Sequence, residues 1–116
     1  MHELSYTKSI LNAVVGSAEK AGAHEVRSVH LVVGEVRDIV DELFRGCFAY
    51  LAKGGIAENV QVFIERVPLT LICRRCGEAF HADAFSSQAI ACPHCEASDY
   101  DVVGGMEFRI DSIEVC

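Results

Sequence analysis

The stretch "CRRCGEAFHADAFSSQAIACPHC" limits the fold more than any other part of the chain. It sets Cys73 and Cys76 with two residues between them, then fifteen residues, then Cys92 and Cys95 with the same gap. Each CxxC makes a tight turn that aims two sulfurs at one point, and Gly77 supplies turn freedom after the first. Two such turns complete a tetrahedron, the arrangement that zinc accepts without redox chemistry. With four protein ligands the shell is closed, so the expectation is a structural Zn(II) site on Cys73, Cys76, Cys92 and Cys95. A thioredoxin-like redox pair would need one CxxC opening a helix after a strand, whereas here two pairs face each other across a polar loop. Iron in a four-sulfur site uses the same ligands, and spacing does not separate it from zinc. His81 and His94 lie nearby and are expected to be solvent-exposed. Arg74 and Arg75 are expected to offset the site's net charge of about -2.

The surroundings suit metal-bound thiols rather than disulfides. "MHELSYTKSILNAVVGSAEK" has an acid at position 3, and Asn12 and Gly16 interrupt its apolar stretch, so it lacks the pattern of a secretory signal. No run approaches the length of a membrane span. A cytoplasmic chain with reduced thiols is therefore expected. The hydrophobic share of 51% argues for a folded domain, and the formal net charge of -7 argues against a nucleic-acid binder.

Periodicity outlines the rest. Residues 4–21 repeat apolar side chains at Leu4, Ile10, Leu11, Val14, Val15, Ala18 and Ala21, an amphipathic helix that Gly22 would stop. "EVRSVHLVVGEV" (25–36) alternates Val29, Leu31 and Val33 as a strand, with His30 on the opposite face as a surface residue. "VDELFRGCFAYLAKGG" reads as a second helix with Leu43, Phe44, Cys47, Phe48 and Leu51 on one stripe, Asp41 as N-cap and Gly54-Gly55 at its end. "NVQVFIERV" (59–67) is a further strand. "GGMEFRIDSIEV" is the last, with a phase shift near Asp111–Ser112 that suggests a bulge.

The expected fold class is α+β: two helices packed on a three-stranded mixed sheet, with an inserted four-cysteine zinc module. The helix at 41–53 crosses over between two parallel strands in a right-handed unit. Residues 1–67 plus 105–116 form one domain, and 68–104 the inserted zinc-binding domain. An exposed strand edge leaves room for a weak homodimer. No Ser or Cys has a His placed to activate it, and "GGIAEN" lacks the Lys-Ser/Thr of a phosphate loop, so no enzyme activity is expected.

The opening "MHEL" then gains interest. With His at position 2, the Met1 amine, the His2 amide and the His2 imidazole lie within chelating reach of one cation. The Glu3 amide or carboxylate can supply a fourth ligand. Nitrogen-rich, near-planar coordination of this kind selects Ni(II) or Cu(II) over zinc. Any protein beginning Met-His shares this geometry, so its weight depends on the rest of the chain.

The chain as a whole resembles the HypA/HybF family of hydrogenase-maturation nickel metallochaperones. "MHE" at 1–3, "VVGE" at 32–35, the paired "CRRC" and "CPHC", and the closing "GGMEFRIDSIEV" carry the resemblance, in the family's order over nearly all 116 residues. It implies a nickel domain with a zinc module inserted before the last strand. His2, with the backbone nitrogens of Met1, His2 and Glu3, would hold nickel transiently, and Glu3 would support the site or the transfer. Cys73, Cys76, Cys92 and Cys95 would hold zinc. In some members an acidic side chain after the "GE" strand approaches nickel; Asp38 and Asp41 are nearby, and neither falls convincingly on that position. The implied partners are the nickel-maturation GTPase of the same pathway and the large-subunit precursor of a NiFe-hydrogenase. The alternative from a different class is a zinc-ribbon protein-interaction module with an inert N-terminus, against which the acidic balance and the insertion within a core domain both count.

Overall fold

The computed structural model describes residues 2–116, with side chains from Leu4 onward. In chain order the elements are α1 (His2–Lys20), β1 (Val26–Gly34), α2 (Asp41–Ala52), β2 (Gln61–Val67), β3 (Thr70–Cys73), β4 (Ala79–His81), β5 (Tyr100–Gly104) and β6 (Phe108–Val115). The chain forms two compact units. One comprises Met1–Leu31, Asp38–Glu65 and Arg109–Cys116; the other comprises Val32–Arg37 and Arg66–Phe108.

The first unit is built on α1, α2 and a three-stranded mixed sheet ordered β2-β1-β6. Backbone bonds at the ends of β1 give the strand directions. Glu25 and Cys116 exchange N–H···O bonds of 3.1 and 2.9 Å, the antiparallel pattern. On the other side Val26 donates to Ile56 and Glu35 to Val67, so the numbering rises together and the strands run parallel. A short hairpin cannot join parallel strands, and α2 makes the connection.

Burial follows the expected periods with corrections. In β1, Val29, Leu31 and Val33 are buried as expected, but Val26, Ser28, Val32 and Gly34 are buried too, so burial along this central strand does not alternate. In β2, Val62 and Ile64 are half-buried while Gln61, Phe63 and Glu65 are exposed. In α1 the buried line is Thr7, Ile10, Val14 and Ala18, while Leu4 and Ala21 are exposed. Thr7 takes the place that apolar counting gave to Leu4, because i, i+3, i+7 spacing leads back from Val14 through Ile10 to Thr7. In α2 the buried line is Phe44, Phe48 and Ala52, and Leu43 is exposed. A single i, i+4, i+8 ridge faces inward, and Leu43 stands about 100° away from it. The cap of α2 is Val40 rather than Asp41, which falls in the first helical turn with Glu42. Both acids still favour that end through the helix dipole.

The helix ends were legible. After α1, Gly22 donates to the Glu19 carbonyl (3.0 Å) and Ala23 to the Ala18 carbonyl (3.0 Å), the paired bonds of a Schellman stop. His30 is half-buried and stacks on Phe63, with ring centroids 4.7 Å apart, so it is less free than a plain surface histidine. In β6, Phe108 and Ile110 are half-buried, Asp111 and Ser112 are both exposed, and Ile113 is half-buried again. The change of phase falls where the pattern suggested it.

The second unit carries a sheet of its own, ordered β4-β3-β5 and antiparallel throughout. These three short strands escaped the periodicity reading. Its core gathers Leu69, Leu71, Cys73, Phe80, Cys92 and Ala97, with Phe80 meeting Tyr100 edge to face. Two of the cysteines therefore belong to the hydrophobic core of the unit that they staple.

Candidate metal centre

Two turns of the same construction bring the four cysteines together. In the first, Cys73 donates its N–H to the Glu78 carbonyl at 3.0 Å, and Gly77 donates back to the Cys73 carbonyl at 2.9 Å. In the second, Cys92 donates to Ala97 at 2.8 Å, and Glu96 donates to Cys92 at 2.8 Å. The residue after the second cysteine has positive φ in both, +76° at Gly77 and +64° at Glu96. The first cysteine of each pair is buried and the second exposed. Sequence alone shows Gly77 as a turn residue; it does not show that Glu96 adopts the same conformation.

The Sγ atoms lie within 4.8 Å of one another, with Cys73–Cys95 at 3.5 Å and Cys76–Cys92 at 3.6 Å. A sulfur–sulfur bond would be about 2.05 Å. A regular tetrahedron with metal–sulfur bonds of about 2.3 Å has edges of about 3.8 Å. The four donors thus fit one tetrahedral ion with soft-ligand preference, and they do not form disulfides. His81 and His94 are exposed and outside this cluster, as expected.

Backbone donors prepare the site for negative charge. The N–H of Cys76, and then that of Arg75, point at the Cys73 sulfur and hold its pKa near 6 against the opposing effect of burial. Cys76 is favoured as a thiolate by the Glu78 N–H, yet partial loss of hydration at its sulfur and the neighbouring sulfurs of Cys92, Cys73 and Cys95 together push it up to about 12. Four sulfurs this close cannot all ionise without a cation between them. The His94 N–H reaches the Cys92 sulfur at 3.4 Å.

Arg74 does not serve the site as the sequence suggested. Its guanidinium pairs with Asp101 at 2.5 Å and Asp99 at 3.2 Å, all three residues being exposed. Its backbone N–H also donates to the Asp99 carbonyl, which ties the first turn to the approach of β5.

Sequence reasoning also passed over two glutamates in the same unit. The Glu35 carboxylate accepts the Leu69 N–H at 3.4 Å, and the Glu107 carboxylate accepts the Gly105 N–H at 2.6 Å. They hold the two strands that lead into and out of the cysteine module. Arg37 adds a bond to the Met106 carbonyl (3.0 Å) and lies over the Phe108 ring. The signal was present in "VVGE" and "GGME", where each acid stands next to or near a glycine. Nothing in the spacing said which backbone groups those acids would meet.

Met1 and the side chains of His2 and Glu3, the expected nickel ligands, lie outside the described residues. The described backbone of α1 begins at His2.

Comparison with known proteins settles the relationship. The family profile described as "Hydrogenase/urease nickel incorporation, metallochaperone, hypA" matches residues 1–115. This chain belongs to the HypA family. It is 36% identical over 115 residues to the hydrogenase maturation factor HypA of Dehalococcoides mccartyi, covering 99% of this chain and 94% of that protein. It is also 36% identical to HypA of Chlorobium limicola, over 99% and 97% of the two chains. A solution structure titled as a HypA protein superposes with a TM-score of 0.72 at 23% identity, covering 100% of this chain and 97% of the other. The solution structure of the nickel metallochaperone HypA from Helicobacter pylori gives 0.64 at 23% identity, over 97% and 96%. These two likenesses speak for the fold. HypA proteins are nickel-incorporation metallochaperones of hydrogenase maturation and not enzymes, and this HypA-family chain carries a four-cysteine metal-binding site. That the family acts in hydrogenase maturation implies partners in that pathway. No helix among the described residues is long and apolar enough to cross a membrane.

Proposed function

We propose that this protein captures Ni(II) at its N-terminus and delivers it during NiFe-hydrogenase maturation, while Zn(II) in the Cys73, Cys76, Cys92, Cys95 site serves structure alone. The observation that carries the reading is the family match, which begins at the first residue and therefore includes His2. The ligands are the His2 imidazole and the backbone nitrogens of Met1, His2 and Glu3, with Glu3 assisting binding or release. Nickel is cargo here, and a cargo site must let go.

Two physical points support the assignment. Because α1 begins at His2, the first amides of the chain occupy helix positions that have no carbonyl four residues back. An amide there can lose its proton to a metal without costing the helix a hydrogen bond. The four-sulfur site is the opposite case, with two ligands in a hydrophobic core and no position open for exchange. It suits an ion that stays. In this reading residues 1–67 plus 105–116 form the nickel domain and 68–104 the zinc module. The protein works in the cytoplasm with the nickel-maturation GTPase and the large-subunit precursor.

Adding one residue before Met1 tests the claim, since it displaces the amine and leaves the fold alone. Nickel titration of the extended chain and of His2→Ala is expected to show binding weakened at least about 100-fold, with zinc unchanged at about one per chain. Parent-like nickel binding in both variants refutes the terminal site. Because amine and imidazole must both be deprotonated, nickel affinity falls as pH drops through about 8 to 6.5. Copper(II) binds the same terminus at least as tightly.

A further inference from the structure

We propose that Arg74, held by Asp99 and Asp101, is a selectivity latch that keeps the four-cysteine site closed to the nickel this protein handles. The inference rests on the reading of zinc as the resident ion of that site. A chain that handles Ni(II) and also carries four clustered thiolates must keep the two apart. Raw affinity separates neighbouring divalent metals poorly, and geometry separates them better. A tetrahedron of sulfurs suits Zn(II), whereas Ni(II) prefers a planar donor set.

The sulfurs approach one another across the two turns, Cys73 to Cys95 at 3.5 Å and Cys76 to Cys92 at 3.6 Å. A tetrahedral ion sets the sulfur pair of one turn crosswise to the pair of the other, with edges of about 3.8 Å. A square with bonds of the same length has edges of about 3.3 Å and diagonals of about 4.6 Å. Passing from the first to the second rotates one CxxC turn against the other by about 90°. Whatever ties the two turns together opposes that rotation.

Arg74 makes this tie. It lies between Cys73 and Cys76. Its backbone N–H donates to the Asp99 carbonyl at 2.9 Å. Asp99 stands two residues beyond Ala97, whose carbonyl closes the second turn by accepting from Cys92. The Arg74 side chain repeats the link, with Nη1 donating to Asp99 at 3.2 Å and Nε and Nη2 donating to Asp101 at 3.0 and 2.5 Å. Asp101 is fixed in β5 opposite Ile72, the residue before Cys73. Exposed ion pairs taken singly contribute little. Here they are joined around a backbone bond, and rotating the first turn strains all of them together. Arg75 carries the same charge and is also exposed, yet it forms no ion pair among the described residues.

The guanidinium is shared between two carboxylates. Removing it leaves both acids beside the site, which favours any divalent cation about equally. A change in the preference between zinc and nickel therefore reports geometry rather than charge. In the exchange itself Ni(II) enters as Zn(II) leaves, and the four sulfurs remain thiolates throughout.

The test incubates the zinc-loaded full chain with excess Ni(II) and follows two signals. Elemental analysis after gel filtration counts the bound metals, and the sulfur-to-nickel charge-transfer absorption reports nickel among the cysteines. Nickel held by nitrogens at the amino end gives no such band, so the outcome is separate from that of the terminal site. The parent is expected to keep its zinc. Arg74→Ala is expected to exchange zinc for nickel about three- to tenfold faster with helical content unchanged. Asp99→Asn combined with Asp101→Asn should match it, and adding Arg74→Ala to that pair should change nothing more. Arg74→Lys recovers part of the parent's resistance, and Arg75→Ala exchanges like the parent. The parent alone supplies a second measure, because added salt screens the network and speeds its exchange while leaving the rate of Arg74→Ala unchanged. Parent-like exchange in Arg74→Ala overturns the proposal, as does equal acceleration by Arg75→Ala. Faster loss of zinc to a chelator with no rise in the nickel share overturns it too, since that marks general loosening. If Arg74→Ala does not hold its fold, salt-independent exchange in the parent is the refuting result.

Discussion

Gly77 and Glu96 occupy the same position in two turns of the same design, each following the second cysteine of a pair and each at positive φ. Only one of the two is glycine. A side chain at such a φ costs roughly 1 kcal/mol, which Gly77 avoids and Glu96 does not. Glu96→Gly is therefore expected to stabilise the module by up to about 1 kcal/mol, and Gly77→Ala to destabilise it by about as much. Thermal unfolding of the zinc-loaded chain, followed by release of zinc to a chromophoric chelator, measures both. A destabilising Glu96→Gly would show that the glutamate side chain contributes something the geometry does not reveal.

Gly34 and Gly105 make a closer demand. A Cβ on Gly34 would overlap the Gly105 carbonyl group, and one on Gly105 would come within 2.6 Å of the Leu69 Cα. These are backbone atoms that cannot swing aside. Gly34→Ala is expected to cost about 3 kcal/mol or more, by urea denaturation. Gly16→Ala in α1 meets open space and is expected to stabilise by about 0.5–1 kcal/mol. Equal effects at the two sites would contradict this account.

Zinc affinity should depend on pH in two stages. Cys73, held near 6 by N–H donors, is already a thiolate at neutral pH, while Cys76 near 12 must surrender a proton to the metal. A depressed thiol pKa favours the bound state above it and withdraws that advantage as pH falls through it. Above about pH 6 the affinity falls with acidification through Cys76 and Cys95, both of whose pKa values are raised. Below about pH 6 Cys73 adds one further proton, and the slope of log affinity against pH steepens by about one unit. Competition with a chromophoric chelator over pH 5–8 shows whether the break is there.

Removal of the metal should loosen one unit and spare the other. Cys73 and Cys92 are part of the core formed with Leu69, Leu71, Phe80 and Ala97. Without a cation the crowded thiolates repel or protonate, and that core loses its staple. Hydrogen exchange after chelation is expected to accelerate across residues 66–108 and to leave the amides of α1 and α2 protected. Cys73→Ala should reproduce the pattern with zinc present.

Much of this is legible in the sequence. The cysteine spacing announced a tetrahedral site, because a CxxC turn has few ways to aim two sulfurs. The apolar run of β1 marked a buried strand, and Gly22 marked the end of α1. The misses share a cause. Hydropathy puts Leu43 in the core because it counts apolar residues and does not tell which of two adjacent ridges a neighbour covers. Arg74 was assigned to the metal site by nearness in sequence, while Asp99 and Asp101 reach it only after β5 returns beside β3.

By itself the sequence determined the donor set, the periods of the helices and principal strands, and, through matching residues from "MHE" to "SIEV", the family. Those are properties of local chemistry and order along the chain. Only the tertiary structure decided that Gly34 lies against Gly105, that Glu35 reaches the Leu69 N–H, and that Gly46 faces outward with Leu43 and Tyr50 beside it. Each of these depends on residues brought together from distant parts of the chain, or on which side of a helix the rest of the chain leaves uncovered, and neither is a property of any one segment.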